Sequence, residues 1–256
     1  MNSKKAGVDL RLFYFQFFDL VKSDDYIVYF YSLQNELYSF LMSETLLSRQ
    51  ITDHRISLYE KIIADLQDQQ YSVIDHFFET KVIENCMDEM LGLYNTNNLK
   101  KAAIGSKTNE IIRKEIRGDF IKWIDRNKAS AYQKRLLDGI DHFVDYLNKT
   151  CFLGIIEKEF HYAVYPKHTF YRRHLDAFQQ NQRRKLSMVI YLNKEWQNDE
   201  GGELVIYTKK DNQELAVPIE PVFGRLVVFE SQVLEHEVKR VNKGLRLSVT
   251  GWLKTN

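Results

Sequence analysis

The sequence predicts an α+β protein, with an antiparallel jelly-roll in its C-terminal part and helices gathered ahead of it. Three observations carry that prediction. After Cys151, about eight short β-like runs follow one another, separated by turn signals. Before Cys151, apolar residues recur at helical spacing in three segments. With 256 residues, 44% of them hydrophobic, the chain can bury a sizeable core. Helices that precede a series of short strands, rather than alternating with them, favour an antiparallel sheet covered by helices.

Residues 1–57 are aromatic-rich without clear periodicity and are expected to form an N-terminal extension of one or two helices. The main domain is placed at 58–256, with its β core at about 151–254. Leu58, Ile62, Ile63 and Leu66 predict a helix over 57–70. The run 71–78 reads as a strand, and Val82, Cys86, Met90 and Leu91 predict a helix over 79–95. Residues 103–119 are polar and loop-like, 120–124 read as a strand, and 129–149 form a further amphipathic helix. The later runs are EKEFHYAVY, TFYRRHLDA, LSMVIYL, ELVIYT, ELAVPI, RLVVFES, HEVKRV and LRLSVTGW. Pro166, Gly201-Gly202, Asp211-Asn212, Pro221 and Gly244 punctuate them.

Composition narrows the function. There are 36 Lys+Arg against 35 Asp+Glu, a net charge of +1, so neither a nucleic-acid nor a membrane-surface partner is expected. Two cysteines cannot build a disulfide framework and form no CxxC pair, so both read as small core residues. The apolar patches near the N-terminus are too short and too polar for a secretory core or a spanning helix. A soluble, cytoplasmic protein is the expectation.

The chemistry is carried by a few side chains. Of the seven histidines, only His174 stands in an H-x-D triplet, with Asp176. With 17 aspartates in the chain, about half of one such triplet is expected by chance, so context must decide. Residues i and i+2 of a strand share a face, so His174 and Asp176 can converge on one ion. His236 lies in a later strand-like run and supplies a third donor. Two imidazoles and one carboxylate make the facial triad of non-haem iron(II) oxygenases, which leaves about three octahedral positions open. Arg246 follows in LRLSVTGW, where alternation puts Arg246, Ser248, Thr250 and Trp252 on one face and aliphatic residues on the other. An inward arginine needs an anion, and a five-carbon diacid could chelate the metal and reach its planar fork.

Residues 115–254 resemble the catalytic domain of the prolyl 4-hydroxylase group of 2-oxoglutarate dioxygenases, especially the oxygen-sensing prolyl hydroxylases and their bacterial relatives. The motifs are IRGDFIKWID, YAVYP, YRRHLD, VIYLNKEW, GGELVIY, IEPVFGRLVVFES, HEV and LRLSVTGW, in that order. The resemblance implies a double-stranded β-helix, cupin-like core. It implies iron(II) on His174, Asp176 and His236, and 2-oxoglutarate on Arg246. Tyr191 would hydrogen-bond the same carboxylate, with Tyr165, Thr250 and Leu204 around the cosubstrate. Arg184, Trp252 and Tyr171 would border the prolyl peptide, and Arg117 and Asp119 would close a lid at 103–119. O2 is the co-reactant and ascorbate an auxiliary reductant. A prolyl residue in a protein or peptide would be hydroxylated, with release of succinate and CO2.

Two rivals stand beside this reading. The same chemistry could act on a free amino acid or other small molecule. The chain could instead be a non-catalytic sensing or binding module with a vestigial site. DNA-repair members carry a second arginine six residues after the cosubstrate arginine, where this chain has Trp252. The basic group Arg172, Arg173, Arg183, Arg184 and Lys185 either favours an acidic peptide or forms a solvated surface.

Overall fold

The computed structural model describes residue 37, residues 50–102, 113, 115–176, 183–210 and 213–256. Of the lid expected at 103–119, residues 103–112 and 114 lie outside those residues, as do residues 1–36 and 38–49 of the extension expected at 1–57. Two compact units divide the chain, Met1–His54 and Arg55–Asn256. The second holds all the features described below.

Residues 55–69 are helical, and Tyr59 and Ile62 of that helix are buried. The strand that follows, β1 (Tyr71–Ile74), is shorter than the 71–78 expected. The chain turns at His76, whose φ is +61°, and so cannot continue the strand. A helix at Thr80–Asn95 buries Val82, Ile83, Cys86 and Met90. The helix Ala131–Thr150 starts later than the expected 129, because Ser130 and Gln133 form a capping box. It buries Leu136, Ile140, Phe143 and Leu147 along one stripe.

The remaining strands are β2 (Lys100–Lys101), β3 (Phe120–Trp123), β4 (Glu157–Pro166), β5 (Tyr171–His174), β6 (Arg184–Tyr191), β7 (Leu204–Lys210), β8 (Gln213–Ile219), β9 (Leu226–Glu230), β10 (Glu235–Val238) and β11 (Leu245–Lys254). They form a seven-stranded sheet in the order β1-β9-β6-β11-β4-β3-β2 and a four-stranded sheet in the order β5-β10-β7-β8. Every pairing is antiparallel. The expected jelly-roll with helices ahead of it is therefore present. β2 carries no apolar signal in the sequence, being two exposed lysines.

The large sheet buries both faces. On its outer side Phe160, Tyr162, Val164, Met188, Ile190, Val228, Leu247 and Val249 join one cluster with the three helices. On its inner side Val189, Tyr191, Val227 and Phe229 pack against Leu204, Ile206 and Ile219 of the small sheet. The alternation read in LRLSVTGW holds: Leu247 and Val249 face the helices, while Arg246, Thr250 and Trp252 face inward. β11 lies between β4 and β6, paired from Leu245↔Pro166 to Lys254↔Glu157 on one side. Gly251 makes that pairing possible. A Cβ there would stand 2.2 Å from the Phe160 ring and 2.3 Å from the Glu159 carbonyl oxygen. Among the described residues, no helix is long and apolar enough to cross a membrane.

Candidate active site

The small sheet brings the distant histidines together. β10 pairs with β5, and His236 stands opposite His174 in the register. Asp176 does not share the strand with His174, as the H-x-D spacing had suggested. β5 ends at His174, and Asp176 lies in the bend just beyond it. The carboxylate converges by way of that bend, and Ser187 of β6 holds it, the hydroxyl donating to Asp176 Oδ2 at 2.6 Å. His174 Nε2 lies 3.7 Å from Asp176 Oδ1, and His236 Nε2 lies 3.6 Å from Oδ2. One donor atom from each residue falls within 4.8 Å of the others.

Both imidazoles are oriented by backbone two residues earlier. Nδ1 of His174 is 2.7 Å from the Arg172 carbonyl oxygen, and Nδ1 of His236 is 3.3 Å from that of Leu234. If Nδ1–H donates there, each Nε2 keeps its lone pair for an ion. Burial pushes His236 down to about 4, despite the opposing pull of Asp176, so the ring is neutral at pH 7. Burial alone would raise the Asp176 carboxyl. The flanking imidazoles and the Ser187 hydroxyl outweigh it and hold the group well below the usual carboxylate range. Two imidazoles and an ionised carboxylate are the donor set that suits a ferrous ion.

Arg246 enters from the large sheet. It is 3% exposed and donates from Nε to the Gly202 carbonyl at 2.9 Å and from Nη1 to Ser248 Oγ at 2.9 Å. Gly202 can present that carbonyl because its φ is +81°, a conformation that L side chains avoid, and because Arg246 Cβ lies 3.2 Å from where its own Cβ would be. The guanidinium lies between the rings of Tyr165 and Tyr191, at 5.1 and 4.9 Å from their centroids. No carboxylate among the described residues pairs with it. The Tyr191 hydroxyl is buried beside it without a hydrogen bond of its own, and burial raises that phenol, so it remains a donor. A buried cation without a counter-ion, next to an unsatisfied phenol, is built for a carboxylate brought in from outside.

One cavity of about 610 Å³ takes in the three ion-binding candidates, Arg246, Tyr165, Thr250, Leu204, Arg184, Trp252, Tyr171 and Arg117. Arg184 stacks over the Trp252 ring at 3.6 Å and pairs with Glu159 at 3.1 Å. Arg117 stacks over Tyr171 at 4.4 Å and forms a two-pronged ion pair with Asp119. Asp119 itself is fully buried and faces a neighbouring cleft, so it acts by fixing Arg117. Most of the arginine group read from the sequence is engaged locally. Arg173 pairs with Glu214 and Glu235, and Arg183 with Glu157.

Sequence reading had left His161 aside. It lines the cavity, 2% exposed, between Trp123 and Trp252 at ring distances of 4.8 and 5.5 Å. Its strand parity with Tyr165 was the available signal. Ser187 was missed as well, although alternation through Val189 to Tyr191 puts it on the inner face.

A model of the 2OG-Fe(II) oxygenase superfamily matches residues 160–254. The crystal structure of a Pseudomonas putida prolyl-4-hydroxylase is similar at 35% identity and a TM-score of 0.69, covering 78% of this chain and 100% of that one. A Trichoplax adhaerens prolyl hydroxylase, solved with a peptide fragment of the hypoxia inducible factor oxygen degradation domain, is 26% identical with a TM-score of 0.71, covering 80% and 92%. The human prolyl hydroxylase EGLN3 is 25% identical over 198 residues, 75% of this chain and 82% of that protein.

Proposed function

Because the chain belongs to the 2OG-Fe(II) oxygenase superfamily, we propose that it hydroxylates a prolyl residue of a protein or peptide, with His174, Asp176 and His236 holding the metal. The superfamily works with iron(II), 2-oxoglutarate and O2. When bound, the metal and the diacid supply the oxidation: one oxygen atom of O2 ends in succinate as CO2 leaves, and the other enters a substrate C–H bond.

The observation that carries the reading is the presence of two complementary donor sets in one cavity. One is a set of two imidazoles and a carboxylate whose donor atoms converge, and the other is a buried arginine with no carboxylate partner among the described residues. A diacid satisfies both. Arg246 and the Tyr191 hydroxyl would take the far carboxylate through charge-assisted hydrogen bonds, oriented by Gly202 and Ser248. Tyr165, Thr250 and Leu204 would bound the chain of the diacid. Trp252, held flat by Arg184, and Tyr171, held by Arg117, would give aromatic walls to an apolar pyrrolidine ring. These residues position the reactants and exclude water, which is the protein's share of the catalysis. Ascorbate, as an auxiliary reductant, and a cytoplasmic setting belong to the same proposal.

The test is succinate release from 2-oxoglutarate with iron(II), with and without proline peptides, read beside mass spectrometry of the peptide. Peptide-stimulated succinate and a +16 mass at proline are expected, and both should vanish in His174→Ala. Stimulation by free amino acids but by no peptide would overturn the prolyl reading.

A further inference from the structure

The cavity extends well beyond the metal-binding candidates. On the inner face of the large sheet, Thr250 stands opposite His161 and His161 opposite Trp123. A parallel row runs from Ser248 through Ala163 and Ile121 to Lys100 on β2, the sheet's edge. Trp123, 50% exposed, offers an apolar face at this wall, and Lys100, in register with Ile121, lines the cavity too. Lys101 and Lys122 alternate toward the other face of their strands, yet both are among the residues lining the cavity.

The charge here is one-sided. Six cationic side chains line the cavity (Lys100, Lys101, Arg117, Lys122, Arg184 and Arg246) against a single carboxylate, Asp176. Arg117 is neutralised by Asp119 and Arg184 by Glu159. Arg246 and Asp176 are assigned to the diacid and the metal. That leaves the three lysines, for which no carboxylate partner exists among the described residues. Lys101 makes only a contact at 5.9 Å with the Phe120 ring.

We propose that this wall is a specificity subsite for an acidic segment of the substrate. The proposal rests on the prolyl reading above and deepens it. From β11 to β2 is three inter-strand spacings, about 14 Å, or about four residues of extended peptide. An Asp or Glu is therefore expected within about four residues of the hydroxylated proline, its carboxylate on Lys100 and a neighbouring apolar side chain on Trp123. Lysines on a sheet edge also keep it from pairing with other chains, and that role alone would leave substrate choice untouched.

The test uses the full chain loaded with iron(II) and 2-oxoglutarate, and three labelled peptides of roughly 15 residues with one central proline. Their flanking positions carry Asp and Glu, the uncharged Asn and Gln, or Lys. Fluorescence anisotropy reads binding, and mass spectrometry reads hydroxylation. The acidic peptide should bind about fivefold tighter than the neutral one for each lysine engaged, and the preference should shrink with salt. Lys100→Glu should remove most of it, and the triple change Lys100→Glu, Lys101→Glu, Lys122→Glu should reverse it. KM for the acidic peptide should rise with kcat within about twofold. Lys128→Glu, remote from the cavity, should change nothing. Equal binding of the three peptides would overturn the subsite. Charge-selective binding without hydroxylation would uphold the subsite and remove the prolyl reading. Hydroxylation without charge preference would do the reverse.

Discussion

Replacing Arg246 with lysine should damage 2-oxoglutarate binding far more than metal binding. Arginine has five N–H donors in a rigid fork. Two are used inside the protein, one on the Gly202 carbonyl and one on Ser248 Oγ, each at 2.9 Å. Three remain for the distal carboxylate. Lysine keeps the charge but presents a single nitrogen, which cannot hold Gly202 and Ser248 and still bind a carboxylate through two bonds. One charge-assisted hydrogen bond is then lost outright and another weakened, about 2–3 kcal/mol in all. That corresponds to a rise of about 30- to 150-fold in KM for 2-oxoglutarate. Because the contact lies far from the reacting carbon, it serves ground state and transition state alike, and kcat should change little. The metal candidates come from β5, β10 and the bend after β5, so iron(II) or manganese(II) affinity should stay within about threefold. Steady-state kinetics over a 2-oxoglutarate series and a metal titration check both halves. A KM within threefold of wild type, or a parallel loss of metal affinity, would refute the assignment.

Other substitutions probe other parts of the structure. Ser187→Ala removes the donor to Asp176 Oδ2, and metal affinity measured by titration should fall about tenfold while the fold is kept. Gly251→Ala places a methyl against Phe160 and the Glu159 backbone, neither of which can yield, and should cost about 2–3 kcal/mol in urea unfolding together with most of the activity. Acid should destabilise the metal-free protein: burial pushes His161 down to about 3 and His236 to about 4, so below pH 6.5 the unfolded chain binds protons that the native one does not. Stability should therefore fall between pH 7 and pH 5, by about 2 kcal/mol for each of the two histidines, and urea titrations of His161→Gln should show a loss about half as large. Asp176 adds nothing in that window, since its lowered carboxyl matters only below its unfolded value near 4.

Elements whose pattern repeats over several residues were legible in the sequence. The helix Ala131–Thr150 and the strand β11 both announce their buried faces by spacing. So did the likeness of His174, Asp176, His236 and Arg246 to a family arrangement, because the motifs around them are contiguous. β2 was not legible, since two exposed lysines bury nothing and the strand exists only because β3 offers an edge. Asp176 illustrates a different limit. A two-residue spacing suits a strand, but the strand stops at His174, and what holds the carboxylate is a serine from β6. The fate of the arginines was equally hidden. Whether Arg173 or Arg184 reaches a ligand depends on which carboxylates neighbouring strands put beside it, and Glu235 and Glu159 are 62 and 25 residues away.

The order of strands in the large sheet bears on how the protein is made. β11 follows every other described strand in the chain, yet it fills the slot between β4 and β6. Without it the large sheet is two separate halves, β1-β9-β6 and β4-β3-β2, each with an unpaired edge, and joining them through pairings so distant in sequence is expected to slow folding. The arginine rides on that final strand. The three metal-binding candidates sit on the small sheet and the bend beside it, so they do not depend on that strand as the arginine does.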